Sequence, residues 1–292
     1  IHRMESPHKV TFGQTILYVI FFPQLIAGPI VRYNDIIDQI KERKENIDLF
    51  YSGVKRFILG LFKKVIIANG CAIIIDSLLK EDIAVLAPSA LWLGIIAYTF
   101  QIFFDFSGYS DMAIGLGRMF GFDILENFNF PYVARSMQDF WRRWHISLST
   151  WFRDYVYIPL GGSKQGLGRT YANLFIVFLL TGFWHGATWS FIFWGVFHGF
   201  FLILERLFLG NLLKKIPVFF GWVYMILVVV IGWVYFRVED FGEATQYLQG
   251  MFGLTQGTIK GIYYLNEERI FVLILAIIFS IPWKKVLNSS TK

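Results

Sequence analysis

The chain has 292 residues, of which 55% are hydrophobic, 19% aromatic and only 16% charged, against about 25% charged for an ordinary soluble domain. Thirty-two Phe, 14 Tyr and 10 Trp cannot all hide in one soluble core, because much of a chain this size faces its solvent. The composition therefore excludes a water-soluble globule and asks for a bilayer. The net charge of +6 fits loops flanking a membrane better than nucleic-acid binding. A single cysteine, Cys71, excludes an internal disulfide framework and a multi-cysteine zinc cluster. The chain starts at Ile1 with no signal-peptide pattern, so a fragment missing its true start is expected.

A membrane-spanning helix needs about 20 predominantly apolar residues. Residues 11–31 carry no charge and contain Pro23 and Pro29, which predicts one span with a bent end. Residues 32–48 alternate in charge without a wide apolar face and read as a solvated surface helix or loop. Residues 57–79 are apolar but broken by Lys63 and Lys64; these must snorkel or face protein, so the span is tilted or interrupted. Residues 86–104 form an uninterrupted aromatic span closed by Asp105. The following FDFSGYSDMAIGLGRMFGF, from Phe104, is too polar and glycine-rich for lipid. Within it Gly117 and Gly121 fit a GxxxG helix contact, whereas Gly115, Gly117 and Gly121 lack the preceding strand of a nucleotide loop. Asp105 and Asp111 point apart on a regular helix and lack further ligands, so no metal is expected there or elsewhere.

Residues 127–163 are too polar to span and too aromatic for a floppy loop, so they belong at an interface or in a protein-lined cavity. The run from Gly161 to Lys164 reads as a turn. Residues 171–204 would make a helix about 50 Å long against a hydrocarbon core of about 30 Å, so two helices meeting near Trp184, His185 and Gly186 are predicted. Residues 216–236 and 270–283 add two more membrane segments. Lys214, Lys215, Lys284 and Lys285 flank these on one side, and Glu239, Asp240 and Glu243 on the other. The positive-inside rule puts the Lys214 loop and the C-terminus in the cytoplasm, and the Lys164–Arg169 loop with them if the 171–204 run crosses twice. The fold class is an all-α polytopic membrane protein, treated as one membrane-embedded domain over residues 1–292.

Of five histidines, His185 in TGFWHGATW stands out, because an ionisable group inside an apolar run usually faces a polar pathway or a partner. Its imidazole suits a general base; the competing reading is a structural His bonded to a neighbouring helix beside the close-packing Gly182 and Gly186. His198 in GVFHGF reads as structural, and His2 and His8 as solvated. In SMQDFWRRWHISLSTWFRDYVY, Phe140, Trp144, Leu148 and Trp151 fit one apolar helix face, with Arg142, Arg143, His145 and Arg153 on the remainder beside Asp139 and Asp154. Arg142 and Arg143 suit the phosphates of a coenzyme or anionic lipid headgroups, lipid anchoring being the simpler use. His145 is superfluous for anchoring. Cys71 reads as packing.

Four ordered blocks carry a resemblance: FFPQLIAGPIVRY from Phe21, FDFSGYSDMAIGLGRMFGF from Phe104, NFNFPYVARSMQDFWRRWHISLSTWFRDYVYIPLGG from Asn127, and GFWHGATWSFIFWGVFHG from Gly182. In these the chain resembles the membrane-bound O-acyltransferase family, in its bacterial alginate O-acetylation branch. Past about Arg206 only the hydropathy pattern is shared. The resemblance implies a ring of tilted and broken transmembrane helices with re-entrant or interfacial segments, and N-terminal helices that this chain lacks. It implies His185 as the catalytic residue and His145 as the second family site.

The resulting expectation is transfer of an acyl group, most simply acetyl, from a cytoplasmic thioester such as acetyl-CoA to a hydroxyl of an exported polysaccharide or partner transferase. No bound cofactor is needed. Arg142, Arg143, Trp144, Ser147, Trp151, Arg153, Asp154 and Trp184 are the substrate-binding candidates. Expected partners are membrane lipids and a periplasmic or extracellular acetyltransferase or polysaccharide-export protein, and the expected location is a bacterial inner membrane. D-alanyl transfer to teichoic acid from a carrier protein is the alternative within the class. A transporter or channel predicts inverted repeats, and none is visible; a non-catalytic membrane scaffold predicts indifference to loss of either histidine.

Overall fold

Where the apolar runs are long the chain forms long helices, and where polar and aromatic residues mix it forms short ones. The computed structural model describes residues 11–24, 28–43 and 46–283. His2, His8, Lys284 and Lys285 lie outside the described residues. Eleven α-helices organise the described chain: α1 Phe12–Val19, α2 Tyr33–Lys41, α3 Ile47–Leu78, α4 Pro88–Met119, α5 Met137–Trp141, α6 Ile146–Phe152, α7 Leu167–His185, α8 Trp189–Leu213, α9 Val218–Arg237, α10 Phe241–Met251 and α11 Glu267–Phe279. No strand forms among the described residues beyond an isolated bridge between Leu86 and Ile259. Five helices, α3, α4, α7, α8 and α9, are long and apolar enough to cross a membrane, and the protein is a multi-pass membrane protein.

Several sequence expectations change at this level. Residues 11–31 do not make one span: α1 has only eight residues and a 3-10 turn at Phe22–Gln24 follows it. Helix α2 does own an apolar face, with Ile36 and Ile37 buried and Ile36 joining the small core formed by Phe21, Val31, Ile114, Phe122 and Ile124. The lysine break expected in the 57–79 span is a π turn at Lys63–Ala68 inside a helix that continues through it. Lys63 pairs with Asp111 at 2.6 Å and Lys64 with Asp105 at 2.6 Å, so both lysines face protein.

The span expected to close at Asp105 runs on to Met119. Its polar second half escapes lipid by packing on α3, with Ser107, Gly108, Ser110 and Asp111 buried. Two glycine pairs set that packing. A Cβ on Gly53 would lie 2.6 Å from the Gly115 carbonyl oxygen, and one on Gly108 would lie 2.8 Å from that of Gly60. The glycine pairs repeat every seven residues on both helices, so the backbones touch along one seam. The GxxxG contact expected at Gly117 and Gly121 is not formed: Gly121 follows the helix at φ 79, and Gly117 lies against Ile124.

The overlong 171–204 run resolves as expected into α7 and α8, joined at Gly186–Thr188. They cross where Gly182 and Gly195 meet; a Cβ on Gly195 would lie 3.0 Å from the Gly182 Cα. Helix α4 is central, packing on α3, α9, α10 and the Gly261–Tyr264 turn. Buried around it are Phe104, Phe140, Trp194, Trp233 and Tyr247.

Candidate active site

The stretch from Phe140 to Trp151 does not form a single amphipathic helix. Helix α5 ends at Trp141, and α6 begins only after His145, whose φ of 43 is left-handed. Such backbone is uncommon for a residue with a Cβ and persists where its surroundings hold it. Phe140, Trp144 and Leu148 still enter the core, while Trp151 is 37% exposed and lies against Tyr155, ring centroids 5.3 Å apart. The break turns the His145 ring inward, leaving the residue 5% exposed.

What holds His145 is Asn127, itself 1% exposed. Asn127 Oδ1 accepts from the Ser147 backbone N–H at 3.2 Å and from Ser147 Oγ at 2.9 Å, and its Nδ2 donates to Ser110 Oγ at 3.2 Å. A backbone N–H can only donate, so the amide atom facing it is the oxygen. That same oxygen lies 3.1 Å from His145 Nδ1. The hydrogen of a neutral imidazole is therefore assigned to Nδ1, and Nε2 keeps its lone pair. Burial, with a smaller contribution from His185, pushes the His145 imidazole down to about 3, so the ring is neutral at physiological pH. Ser147 Oγ also accepts from the Ile30 backbone N–H at 3.0 Å, tying the segment before α2 to this network.

His185 is held differently. It is the last residue of α7, ringed by Trp184 at 4.9 Å, Phe236 at 4.9 Å, Trp194 at 5.1 Å and Phe191 at 6.2 Å between centroids. Both histidines line one cavity of about 520 Å³, with apolar walls from Trp141, Leu148, Val177 and Phe178. His198 is off this cavity and fully buried, packed between Trp141, Trp194 and Trp233. Neither of its ring nitrogens has a hydrogen-bond partner among the described residues.

Of the remaining sequence candidates, Arg142, Trp144 and Arg153 also line the cavity. Arg143 turns away to Asp139 at 2.8 Å and the Asn129 carbonyl at 3.2 Å. Arg153 also chelates Asp154, at 2.6 and 3.2 Å, and Arg32 reaches Asp154 at 2.7 Å. The Arg153 hydrogen bond, with Arg32 adding to it, holds the Asp154 carboxyl below its ordinary range. Trp184 meets His185 edge-on but is 57% exposed. Asp105 and Asp111 do pair with cations: Asp111 takes Arg56 at 2.6 Å as well as Lys63. No group of three potential metal ligands exists among the described residues.

Sequence reasoning missed Asn127, Ser110 and Arg206. Asn127 heads one of the quoted blocks, and its signal was an amide alternating with aromatics, shared with Asn129. Arg206, which also lines the cavity, looked like the polar end of an apolar run.

Comparison with known proteins places this arrangement. The profile described as the membrane-bound O-acyltransferase family matches residues 3–239. The chain is 44% identical to the probable alginate O-acetylase of Azotobacter vinelandii, over 94% of this chain and 55% of that protein. It is 44% identical to the peptidoglycan O-acetyltransferase of Helicobacter pylori, over 82% of this chain and 46% of that one. It is 35% identical to the teichoic acid D-alanyltransferase of Streptococcus thermophilus, over 68% and 51%. The chain spans about half the length of the curated relatives it matches. By profile and by identity, this chain belongs to the membrane-bound O-acyltransferase family.

Proposed function

We propose that the chain is the catalytic portion of a membrane O-acyltransferase that moves an acetyl group from a cytoplasmic thioester to a hydroxyl of a carbohydrate polymer outside the membrane. The observation that carries this reading is the convergence of His145 and His185 on one largely apolar cavity. A base in a water-poor site favours transfer to a bound hydroxyl over hydrolysis.

In this reading His185 takes the proton of the acceptor hydroxyl as its oxygen attacks the thioester carbonyl. The tetrahedral intermediate then collapses, the C–S bond breaks, and the imidazolium returns the proton to the leaving thiolate. The state of His145 narrows its role. With Nδ1–H committed to Asn127 and the ring neutral, Nε2 offers a lone pair and no donor. It would orient the acceptor by accepting a hydrogen bond from a second hydroxyl of the carbohydrate, and it is ill suited to stabilise an oxyanion.

Acetyl is favoured over D-alanyl because both O-acetyltransferase relatives are 44% identical and the D-alanyltransferase 35%. The acceptor is left at the level of a carbohydrate hydroxyl, since an alginate and a peptidoglycan enzyme stand at equal identity. Partners in this reading are a polysaccharide-export protein or extracytoplasmic acetyltransferase, and the site of action is the bacterial inner membrane. Radiolabelled acetyl transfer by membranes carrying the full-length protein tests it: label should reach polymer with the wild type and not with His185→Ala. Transfer at the native rate by His185→Ala would sink the assignment.

A further inference from the structure

Residues 127–129 and 143–147 form one hydrogen-bonded unit that carries His145. The Ile146 N–H donates to the Asn127 carbonyl at 2.9 Å, the Asn129 N–H to the Arg143 carbonyl at 2.9 Å, and the Ser147 N–H to Asn127 Oδ1 at 3.2 Å. Among the described residues, polar groups tie this unit and the adjoining Glu126 to α3 and α4 at two points. One is the hydrogen bond from Asn127 Nδ2 to Ser110 Oγ. The other is Arg56 of α3, whose Nε donates to Asp111 Oδ1 at 2.8 Å and whose Nη2 donates to Glu126 Oε2 at 2.5 Å. A guanidinium carries its donors on separate arms and can hold two carboxylates at once. Asp111 follows Ser110 and Glu126 precedes Asn127, so Arg56 clamps the chain beside both ends of the Asn127–Ser110 bond.

The clamp stands on a rigid base and faces open space. Arg56 lies between Gly53 and Gly60 on α3, and Asp111 between Gly108 and Gly115 on α4, so the glycine seam holds the two opposite each other. Lys63 Nζ takes the other Asp111 oxygen, Oδ2, at 2.6 Å. Around the clamp lies a cavity of about 490 Å³, lined by Arg56, Lys63, Asp111, Glu126, Asn127 and Ile146 among others. Ile146 also lines the histidine cavity, which puts the His145 unit between two cavities. A segment with space on both faces has fewer packing contacts to fix it, and the ionic link across the rear space carries more of its position. We propose that Arg56 is a positioning residue: by bridging Asp111 to Glu126 it sets where the Asn127–His145 unit stands in the histidine cavity. This rests on the acyl-transfer reading above, in which His145 orients the acceptor.

The competing role for Arg56 is plain neutralisation of Asp111, which is 4% exposed. Arg56→Lys separates the two roles, since it keeps a cation for Asp111 and lacks the second arm that spans to Glu126. Glu126→Gln removes the far end of the bridge, and because that side chain is 49% exposed the pair adds little to stability. The test uses the full-length protein in vesicles, with acetyl-CoA as donor and alginate oligosaccharides or, where these accept nothing, peptidoglycan fragments as acceptor. Each variant should raise the acceptor KM about three- to tenfold, the worth of one hydrogen-bonded link, with the donor KM and Tm near those of the wild type. The double variant should be no worse than either single one, because both break the same link. Unchanged acceptor KM in both variants overturns the proposal, and so do additive effects. Equal rises in donor and acceptor KM with a fall in Tm would assign Arg56 to neutralising Asp111 alone. Amide hydrogen exchange supplies a readout without turnover: peptides covering 126–130 and 143–147 should exchange faster in both variants, and those covering α7 and the start of α8 should not change. A wild type that transfers nothing would instead defeat the acyl-transfer reading, and the exchange result alone would then uphold or overturn the clamp.

Discussion

His145 and His185 face one cavity, yet only the first is held there by hydrogen bonds among the described residues. Around His145 directional hydrogen bonds set the ring, Asn127 Oδ1 on Nδ1 and Ser147 and Ser110 on Asn127, with one ring contact, Phe106 edge-on at 4.6 Å. Around His185 the constraints are ring faces and edges, from Trp184, Phe191, Trp194 and Phe236, with no hydrogen bond from its ring to the described protein. A hydrogen-bond network dictates which nitrogen carries the proton; a ring cage dictates only where the imidazole points. The first suits a group whose protonation must not change, and the second a group that must gain and lose a proton in each cycle.

The comparison is broken most directly at the bases themselves. His185→Ala should lower kcat by about 10²–10⁴, the usual contribution of a positioned general base, and His145→Ala by less, with part of its effect in acceptor KM. Steady-state acetyl transfer checks both; a larger kcat loss at His145 would exchange the two roles.

The supports come next. Asn127→Ala frees Nδ1 and should cost about 10- to 100-fold in activity, as losing the partner that orients a functional His does elsewhere. Asn127→Asp, which still accepts from Nδ1, should recover part of it. Phe236→Leu in the cage loses packing without changing a tautomer and should cost less than about 1.5 kcal/mol in stability, with a small change in rate. Activity and thermal unfolding in detergent, measured on the same three proteins, separate the two kinds of support.

The histidines were legible in the sequence and their supports were not, for a physical reason. An imidazole in TGFWHGATW is conspicuous because burying it is costly. Asn127 is eighteen residues from His145, and only the left-handed turn at His145 brings its amide to the ring. The division of the 171–204 run was legible because length alone forbids one helix. The continuation of α4 to Met119 was not, because polarity reads as exposure until a partner is known, and the partner is the glycine seam of α3. The same ambiguity hid a cluster of cations: Arg135 and the Arg206–Lys214 end of α8 come from two parts of the chain and meet only around one cavity.

Acid tests the buried state of His145 directly. His145 lies outside the spanning helices, and burial pushes it from 6.5 to about 3. The unfolded chain thus binds a proton more readily than the folded one. The neutral ring's contribution is fully present above pH 6.5 and is lost as pH falls from 6.5 toward 3, with a slope of up to about 1.4 kcal/mol per pH unit. Thermal unfolding over pH 7 to 4 should show this acid limb in the wild type and a flatter one in His145→Gln. An unchanged limb would mean that the His145 ring is not the buried neutral group described.

The smallest effect belongs to Ser147, and it is the most specific. Its hydroxyl donates to Asn127 Oδ1 and accepts from the Ile30 N–H. Ser147→Ala therefore leaves one backbone donor unpaired and removes one of the three hydrogen bonds at Asn127 Oδ1. The other two, from the Ser147 backbone and His145 Nδ1, survive. Since the backbone N–H alone still forces the amide oxygen toward His145, the tautomer should be retained. Stability should fall by about 1 kcal/mol while kcat changes only a few-fold. If Ser147→Ala instead matched the kcat loss of Asn127→Ala, the orientation of the amide would depend on the hydroxyl, and the backbone would not be what sets the proton on Nδ1.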